Sequence, residues 1–106
     1  MSEPAYLVSA IARQRLDEIY AYTRQHWGEQ QAEVYVRDLF AYFARVAARE
    51  AAWRAVPVEF GVDGFYGRCG RHYVYWRSLP NGQVGIVTIL HERMHQISRL
   101  RDDVAP

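Results

Sequence analysis

The spacing of apolar residues changes near residue 50, from a helical period to a strand period. Before that point apolar positions recur every three or four residues, and most charged residues lie on the opposite face. Gly28 interrupts this stretch, and so short a link folds two helices into an antiparallel hairpin. Ser9, a good helix N-cap, follows the apolar run Tyr6–Val8. The pattern predicts a strand and then a helical hairpin. The apolar stripe of this hairpin is expected to comprise Leu16, Ile19, Tyr20, Trp27, Val36, Leu39 and Phe43.

Three segments after residue 50 are rich in aromatic and β-branched residues, which favour strands. They are Phe65–Cys69, His72–Arg77 and Val84–Leu90. Between them, Gly70 and the sequence Leu79–Gly82 supply turns. The preceding segment Ala51–Asp63 contains Pro57 and is predicted to be a loop. Its expected packing anchors are Trp53, Val56 and Phe60.

The predicted order of elements is β-α-α-β-β-β, followed by a short C-terminal tail or helix from His91 onward. This order indicates an α+β fold in which an antiparallel sheet packs on the antiparallel two-helix hairpin. Side chains alternate between the faces of a strand. One face of the middle strand is therefore expected to present His72, Val74 and Trp76, and the other face Tyr73, Tyr75 and Arg77.

Length and composition indicate one small globular protein. Half of the 106 residues are hydrophobic, so residues 1–106 are expected to form a single domain around one core. No apolar run approaches the ~20 residues that a membrane span needs. Met1–Tyr6 lacks the basic-then-apolar pattern of a signal peptide. Cys69 is the single cysteine, so an internal disulfide is excluded, and we expect a small buried hydrophobe there. The expected compartment is the cytoplasm.

The basic residues are all arginine. The chain carries 13 arginines, no lysine and a formal net charge of +1. Schiff-base enzymes and P-loop phosphate sites both need lysine, so these two classes are excluded. The half after residue 50 is the more basic, which favours either a nucleic acid or an acidic protein as partner. A solvated sheet face is the alternative explanation of the same arginines.

The sequence His91-Glu92-Arg93-Met94-His95 matches the H-E-x-x-H motif of zinc peptidases. That chemistry needs both histidines on one face of a helix, one turn apart. The preceding residues favour a strand, which would place His91 at a strand end. No metal site is therefore predicted, and a zinc peptidase ranks third among the functions considered.

Four arginines, Arg68, Arg71, Arg77 and Arg93, can line a phosphate-binding face together with His72 and His91. His91 would be the best general acid or base in such a site, because histidine titrates near neutral pH. The alternative is that these arginines are solvated or paired with a protein partner. We favour the alternative and assign no catalytic residue and no cofactor.

Several local motifs together resemble the ParE toxins of the RelE/ParE superfamily of bacterial toxin–antitoxin modules. The first is the turn His26-Trp27-Gly28 with Gln31-Ala32 and Tyr35, similar to the pattern WG-x-x-QA-x-x-Y. The second is the run Arg71–Arg77. The third is Ile86–Leu90 followed by His91, Arg93 and Met94, similar to I-x-x-I-L-H-x-R-M. The resemblance covers nearly the whole chain.

The resemblance implies a toxin that inhibits DNA gyrase by trapping the cleaved gyrase–DNA complex. It also implies a cognate ParD-like antitoxin that neutralises the toxin in a hetero-oligomer. Contact with nucleic acid would then be indirect, through gyrase or the antitoxin, and no membrane would be involved. The alternative is a ribosome-dependent mRNA endoribonuclease of the RelE type. Those relatives commonly use lysines and a C-terminal tyrosine, and this chain has no lysine and no tyrosine after Tyr75.

Two surfaces are predicted on this basis. Exposed aromatic rings and an arginine suit an interface with a folding antitoxin tail. The expected antitoxin contacts are Tyr22, Tyr35, Tyr42, Tyr73, Tyr75 and Arg77. The expected toxicity surface comprises Arg68, Arg71, His91 and Arg93.

Overall fold

A computed structural model describes residues 5–104, and over this range the predicted α+β fold is confirmed. The strands are β1 (Tyr6–Val8), β2 (Arg54–Ala55), β3 (Phe65–Cys69), β4 (His72–Ser78) and β5 (Val84–His91). The helices are α1 (Ala10–Trp27), α2 (Glu29–Ala47) and α3 (Gln96–Val104), and Val58–Phe60 forms a short 3-10 helix. No helix within these residues has the length and apolar character needed to cross a membrane.

The strands form one sheet in the order β1-β5-β4-β3-β2. The pairs from β5 to β2 are antiparallel as predicted, but β1 runs parallel to β5, with Tyr6 opposite Val84. The sheet is therefore mixed rather than antiparallel throughout. Parallel neighbours require a crossover connection. Here the hairpin and three strands separate β1 from β5 along the chain, so no local pattern indicates the pairing.

The segment predicted as a loop contains an edge strand. β2 has two residues, too few for an alternating pattern to be visible in the sequence. Of the expected anchors, Val56 and Phe60 pack against the apolar cluster beneath α3, but Trp53 is 60% exposed. The prediction for Trp53 is wrong because its ring only meets the edge of Phe65, at 5.1 Å between ring centroids.

Both predicted boundaries of the first helix are confirmed. The Ser9 hydroxyl accepts a hydrogen bond from the Ala12 N–H at 3.0 Å and donates one to the Val87 carbonyl at 2.7 Å. Ser9 therefore caps α1 and ties its start to β5. At the other end, Gly28 has a φ of 92°, and its N–H donates to the Arg24 carbonyl. This positive φ suits glycine and lets α2 begin at the next residue.

The hairpin packs on one face of the sheet, as predicted. Ala12, Leu16, Leu39 and Phe43 are among its buried residues. From the sheet, the same cluster contains Val74, Trp76, Val84, Ile86 and Ile89. Trp27, expected in this core, is instead 72% exposed, because it is the last residue of α1.

The opposite face of the sheet is covered by α3. A second cluster there contains Tyr75, Leu90 and Leu100. The β4–β5 register shifts at Tyr75/Trp76, leaving Val87 without an opposite residue on β4. This β-bulge turns both Val87 and Thr88 toward α3.

A buried ion pair fastens α3 to the rest of the domain. Arg15 on α1 donates to both carboxylate oxygens of Asp103, the shorter bond being 2.8 Å. The Thr88 hydroxyl donates to the same carboxylate at 2.8 Å. The Asp103 side chain is only 5% exposed. The hydrogen bond to Asp103 raises the pKa of Arg15, so its guanidinium group remains charged.

Candidate functional site

Two of the residues expected at the toxicity surface, Arg68 and Arg71, meet at one end of the sheet. The Glu92 carboxylate, directly after β5, lies between the guanidinium groups of Arg68 and Arg71. Its contact with Arg71 is 3.7 Å long, and the Glu92 N–H donates to the Arg71 carbonyl at 2.9 Å. Both guanidinium groups remain exposed. Exposed ion pairs contribute little to stability, so the main effect of Glu92 is to orient the two arginines.

The turn that carries Arg71 is held against the hairpin by Tyr35 on α2. The Tyr35 hydroxyl accepts a hydrogen bond from the Arg71 N–H at 3.0 Å. The same hydroxyl forms a hydrogen bond with His72 Nδ1, 2.6 Å away. The preceding Gly70 has a φ of 60°, and a Cβ there would lie 2.7 Å from the Tyr35 oxygen. The turn therefore needs glycine for its backbone and for its space.

His72 and His91 lie next to each other with their rings perpendicular, 5.1 Å between centroids. Burial and, to a smaller extent, the neighbouring His91 together lower the pKa of His72 to about 4. His72 is therefore neutral at pH 7, consistent with its Nδ1 accepting the Tyr35 hydrogen. On the other ring, His91 Nδ1 accepts a hydrogen bond from the Arg93 N–H at 3.1 Å. Each of the two histidine rings therefore forms a hydrogen bond through its Nδ1 atom.

The geometry does not match that of an H-E-x-x-H peptidase. His91 is the last residue of β5, as predicted, and His95 precedes α3, where its Nδ1 accepts from the Ser98 N–H at 3.3 Å. The two histidines therefore do not share a helical face. Glu92, which would activate water in such an enzyme, is paired with arginines. Across residues 5–104, no three histidine, cysteine or acidic side chains are grouped so that they could hold a metal ion.

Cys69, the last residue of β3, packs against the main core. Burial raises the pKa of its thiol. A thiol with a raised pKa is protonated at neutral pH and is a weak nucleophile. The expected role as a small hydrophobe is consistent with this position.

The six expected antitoxin contacts lie in different surroundings. Tyr22 is exposed on α1, and Tyr35 and Tyr73 are half-buried. Tyr42 and Tyr75 are only 5% and 4% exposed, so the prediction that these two rings are exposed is wrong. Tyr42 packs edge-on against Trp76, and the Tyr75 hydroxyl donates to Gln96 Oε1 of α3 at 2.7 Å. The sequence pattern predicts a tail or helix from His91 onward but not where it packs. The sequence therefore did not show that α3 covers Tyr75.

Arg77, the sixth contact, lies at the far end of the same sheet face. It lines an open cavity of about 460 Å³ together with Asp63, Gly64 and Val104. Within the described part of the chain, the Arg77 side chain makes no hydrogen bond or ion pair with another residue. An unpaired, exposed guanidinium is well suited to a carboxylate from a partner.

A second cavity, which we call the edge groove, was missed by the sequence reasoning. It has a volume of about 330 Å³ and lies beside β3. Its walls include Trp53, Arg54, Tyr66, Gly67, Arg68 and Tyr73. The aromatic residues Trp53, Tyr66 and Tyr73 were the available signal, but Trp53 was predicted to be a packing anchor.

Comparison with known proteins places these surfaces in context. A family model for the ParE toxin of the type II toxin–antitoxin system parDE matches residues 6–96. A protein named Toxin ParE from Escherichia coli is 36% identical over 98 residues, which is 92% of this chain and 94% of the relative. Toxin ParE1 from Caulobacter vibrioides is 34% identical over 97 residues, covering 90% of this chain and 96% of the relative.

A solved structure with the same fold is described as the chromosomal ParDE TA system from P. aeruginosa and superposes with a TM-score of 0.64. The match covers 82% of this chain and 94% of that chain, at 21% sequence identity. At this identity the comparison establishes the shared architecture.

Proposed function

The chain belongs to the ParE toxin family of type II toxin–antitoxin systems, and from this membership we propose that it inhibits DNA gyrase by stabilising the cleaved gyrase–DNA complex. A cognate ParD-like antitoxin neutralises it by binding its surface in a hetero-oligomer. The observation that carries this proposal is the family match over residues 6–96. Gyrase works on chromosomal DNA, so the proposed compartment is the cytoplasm.

The proposed mechanism is binding rather than chemistry. A ligand shifts an equilibrium only when its affinities for the two states differ. The toxin therefore has to bind the cleaved gyrase–DNA state more tightly than the resealed state. Nucleic acid is contacted only through gyrase or the antitoxin in this scheme. No cofactor takes part.

We place the gyrase-facing surface at the sheet end formed by Arg68, Arg71, His91 and Arg93. Exposed arginines in a fixed arrangement suit this role, because arginine binds carboxylate and phosphate groups bidentately. The arrangement is held by Glu92 and by the Tyr35 hydrogen bond. The hydrogen bond to His91 Nδ1 favours a structural role over proton transfer for this ring.

For the antitoxin we retain Tyr22, Tyr73 and Arg77 as direct contacts. Their side chains are exposed or half-buried in the free toxin. Tyr35 acts through the β3–β4 turn, and Tyr42 and Tyr75 act by shaping the surface from beneath. A disordered tail that folds on binding can reach such separated points along one chain.

Induction in cells tests the proposal against the endoribonuclease alternative. Expressed without antitoxin, the protein is expected to cause chromosome breaks and a DNA-damage response that disappear in a strain with a toxin-resistant gyrase. Co-expression of the antitoxin from the adjacent gene is expected to restore growth. Codon-specific mRNA cleavage with intact chromosomes would contradict the proposal and support the RelE-type activity.

A further inference from the structure

The edge groove exists because β2 leaves the side of β3 early. Arg54 is opposite Tyr66 in the β2–β3 register, so continuing the two strands would pair Trp53 with Gly67 and then Ala52 with Arg68. Neither pair forms. The chain instead bends over β3 at Ala52, whose carbonyl lies 2.9 Å from the position of a Cβ on Gly67. The space left beside β3 is the groove.

The backbone of Arg68 faces this space. The Val56 N–H donates to the Gly64 carbonyl at 2.9 Å, so Gly64 turns its polar backbone groups toward the β2 side. These groups alternate sides along an antiparallel strand, so those of Tyr66 and Arg68 point to the same side. Tyr66 has Arg54 opposite it, whereas Arg68 has no strand partner on that side. One N–H and one C=O of β3 are thus available for pairing.

The walls of the groove are aromatic, and its charged groups are positive. The Tyr66 and Tyr73 rings meet edge-on at 5.9 Å between centroids on the α3 side of the sheet. The exposed Trp53 ring also lines the groove, and it meets Phe65, which packs on the hairpin side. The Arg68 guanidinium lies over the Tyr73 ring at 5.8 Å and is paired with Glu92. Arg54 has no ion-pair partner among residues 5–104.

We propose that the edge groove binds an extended acidic segment of the antitoxin as an additional strand beside β3. This inference rests on the proposed neutralisation by an antitoxin, and it adds the position at which one antitoxin segment binds the toxin. Backbone groups of the segment pair with Arg68. Apolar side chains on one face of the segment contact Tyr66 and Tyr73, those on the other face contact Trp53, and a carboxylate pairs with Arg54. A polypeptide fits better than a nucleic acid, because only a second backbone satisfies the N–H and C=O of a strand edge.

Hydrogen exchange with the full-length antitoxin tests this placement directly. In the free toxin the Arg68 amide faces solvent and is expected to exchange quickly. In the complex we expect its exchange to slow by at least tenfold, while the amide of Asn81, in the distant β4–β5 turn, stays unchanged. A complex that forms and neutralises the toxin without slowing the Arg68 amide overturns the inference but leaves the proposed function standing.

Two substitutions of Arg68 distinguish the contribution of its backbone to antitoxin binding from that of its side chain. Arg68→Ala removes the guanidinium and keeps the N–H, whereas Arg68→Pro removes both, at an edge where proline is tolerated. We expect Arg68→Pro to weaken antitoxin binding at least tenfold more than Arg68→Ala in calorimetry, with both variants checked for native circular dichroism. Equal affinities would show that no strand pairs there. Protection of the Arg68 amide by a single-stranded oligonucleotide, and not by the antitoxin, would also overturn the proposal.

Discussion

The hydroxyl of Tyr35 on the second helix is directed at Nδ1 of His72 at the start of β4, with 2.6 Å between the two atoms. The same oxygen accepts the Arg71 N–H. One side chain of the hairpin therefore fixes the turn that presents Arg71. The hairpin thus positions the proposed gyrase-facing surface and also supports the core.

Removing the Tyr35 hydroxyl is expected to destabilise the domain without creating a cavity in its core. Tyr35→Phe keeps the ring but leaves the half-buried His72 Nδ1 without its hydrogen-bond partner. We expect a loss of about 1–2 kcal/mol in the free energy of unfolding, measured by urea denaturation. Tyr22→Phe is the matched control, because the Tyr22 ring is exposed and stacks only on His26. Equal stabilities of the two variants would contradict the role given to Tyr35.

The stability of the domain is expected to depend on the protonation of His72. Its pKa is lowered to about 4 in the folded protein, mainly by burial, from an ordinary value of 6.5. Between these two values the unfolded chain binds the proton and the folded chain does not. Stability therefore rises with pH from about 4 to 6.5 and is lost as the pH falls through that window. The expected contribution is roughly 1–3 kcal/mol, allowing for partial exposure.

The difference between wild type and His72→Gln isolates this effect from that of the carboxylates. We expect the stability difference between the two proteins to change with pH over this window, as measured by denaturation at several pH values. A difference that stays constant from pH 4 to 7 would show that His72 titrates normally.

The ion pair between Arg15 and Asp103 should account for much of the attachment of α3. Among residues 5–104, Arg15→Ala leaves the buried Asp103 carboxylate with the Thr88 hydroxyl as its one remaining partner. An unpaired buried charge is costly, and we expect a loss of about 2–4 kcal/mol in thermal or chemical denaturation. Glu18→Ala removes the other, more exposed carboxylate that contacts Arg15 and is expected to cost under about 0.5 kcal/mol. Similar losses from both changes would argue against a special role for Asp103.

The glycine at position 67 is expected to be required by packing rather than by its backbone conformation. A Cβ there would collide with the Tyr42 hydroxyl and lie 2.9 Å from the Ala52 carbonyl. We expect Gly67→Ala to cost about 1–3 kcal/mol of stability through overpacking. Tyr42→Phe in the same chain removes one of the two clashes and should recover part of the loss. If Gly67→Ala/Tyr42→Phe is no more stable than Gly67→Ala alone, the clash does not involve the Tyr42 hydroxyl.

The spacing of apolar residues was sufficient to predict the helices and strands that bury one regular face. The two helices, their break at Gly28 and the strands β3 to β5 follow from local spacing and turn residues. The alternation along β4 also predicted its two faces, with Val74 and Trp76 toward the hairpin and Tyr75 toward α3. These features are local, so a short stretch of sequence contains their cause.

Features that depend on distant contacts could not be predicted in the same way. The parallel pairing of β1 and the two-residue β2 depend on partners far along the chain. The position of α3 depends on the Arg15–Asp103 pair, which joins residues 88 positions apart. Because the sequence does not show that α3 packs over Tyr75, the ring of Tyr75 was predicted to be exposed. The edge groove was also not visible, because it arises where pairing between two strands stops.

Purified toxin, gyrase and supercoiled plasmid test the central claim most directly. Reactions are stopped with detergent and protease, and linear DNA is measured on a gel. The account predicts linear DNA that increases with toxin concentration, disappears when antitoxin is added first, and falls at least tenfold for the Arg71→Glu variant at the proposed gyrase-facing surface. Plasmid that remains uncut at toxin concentrations that arrest growth would contradict gyrase as the target.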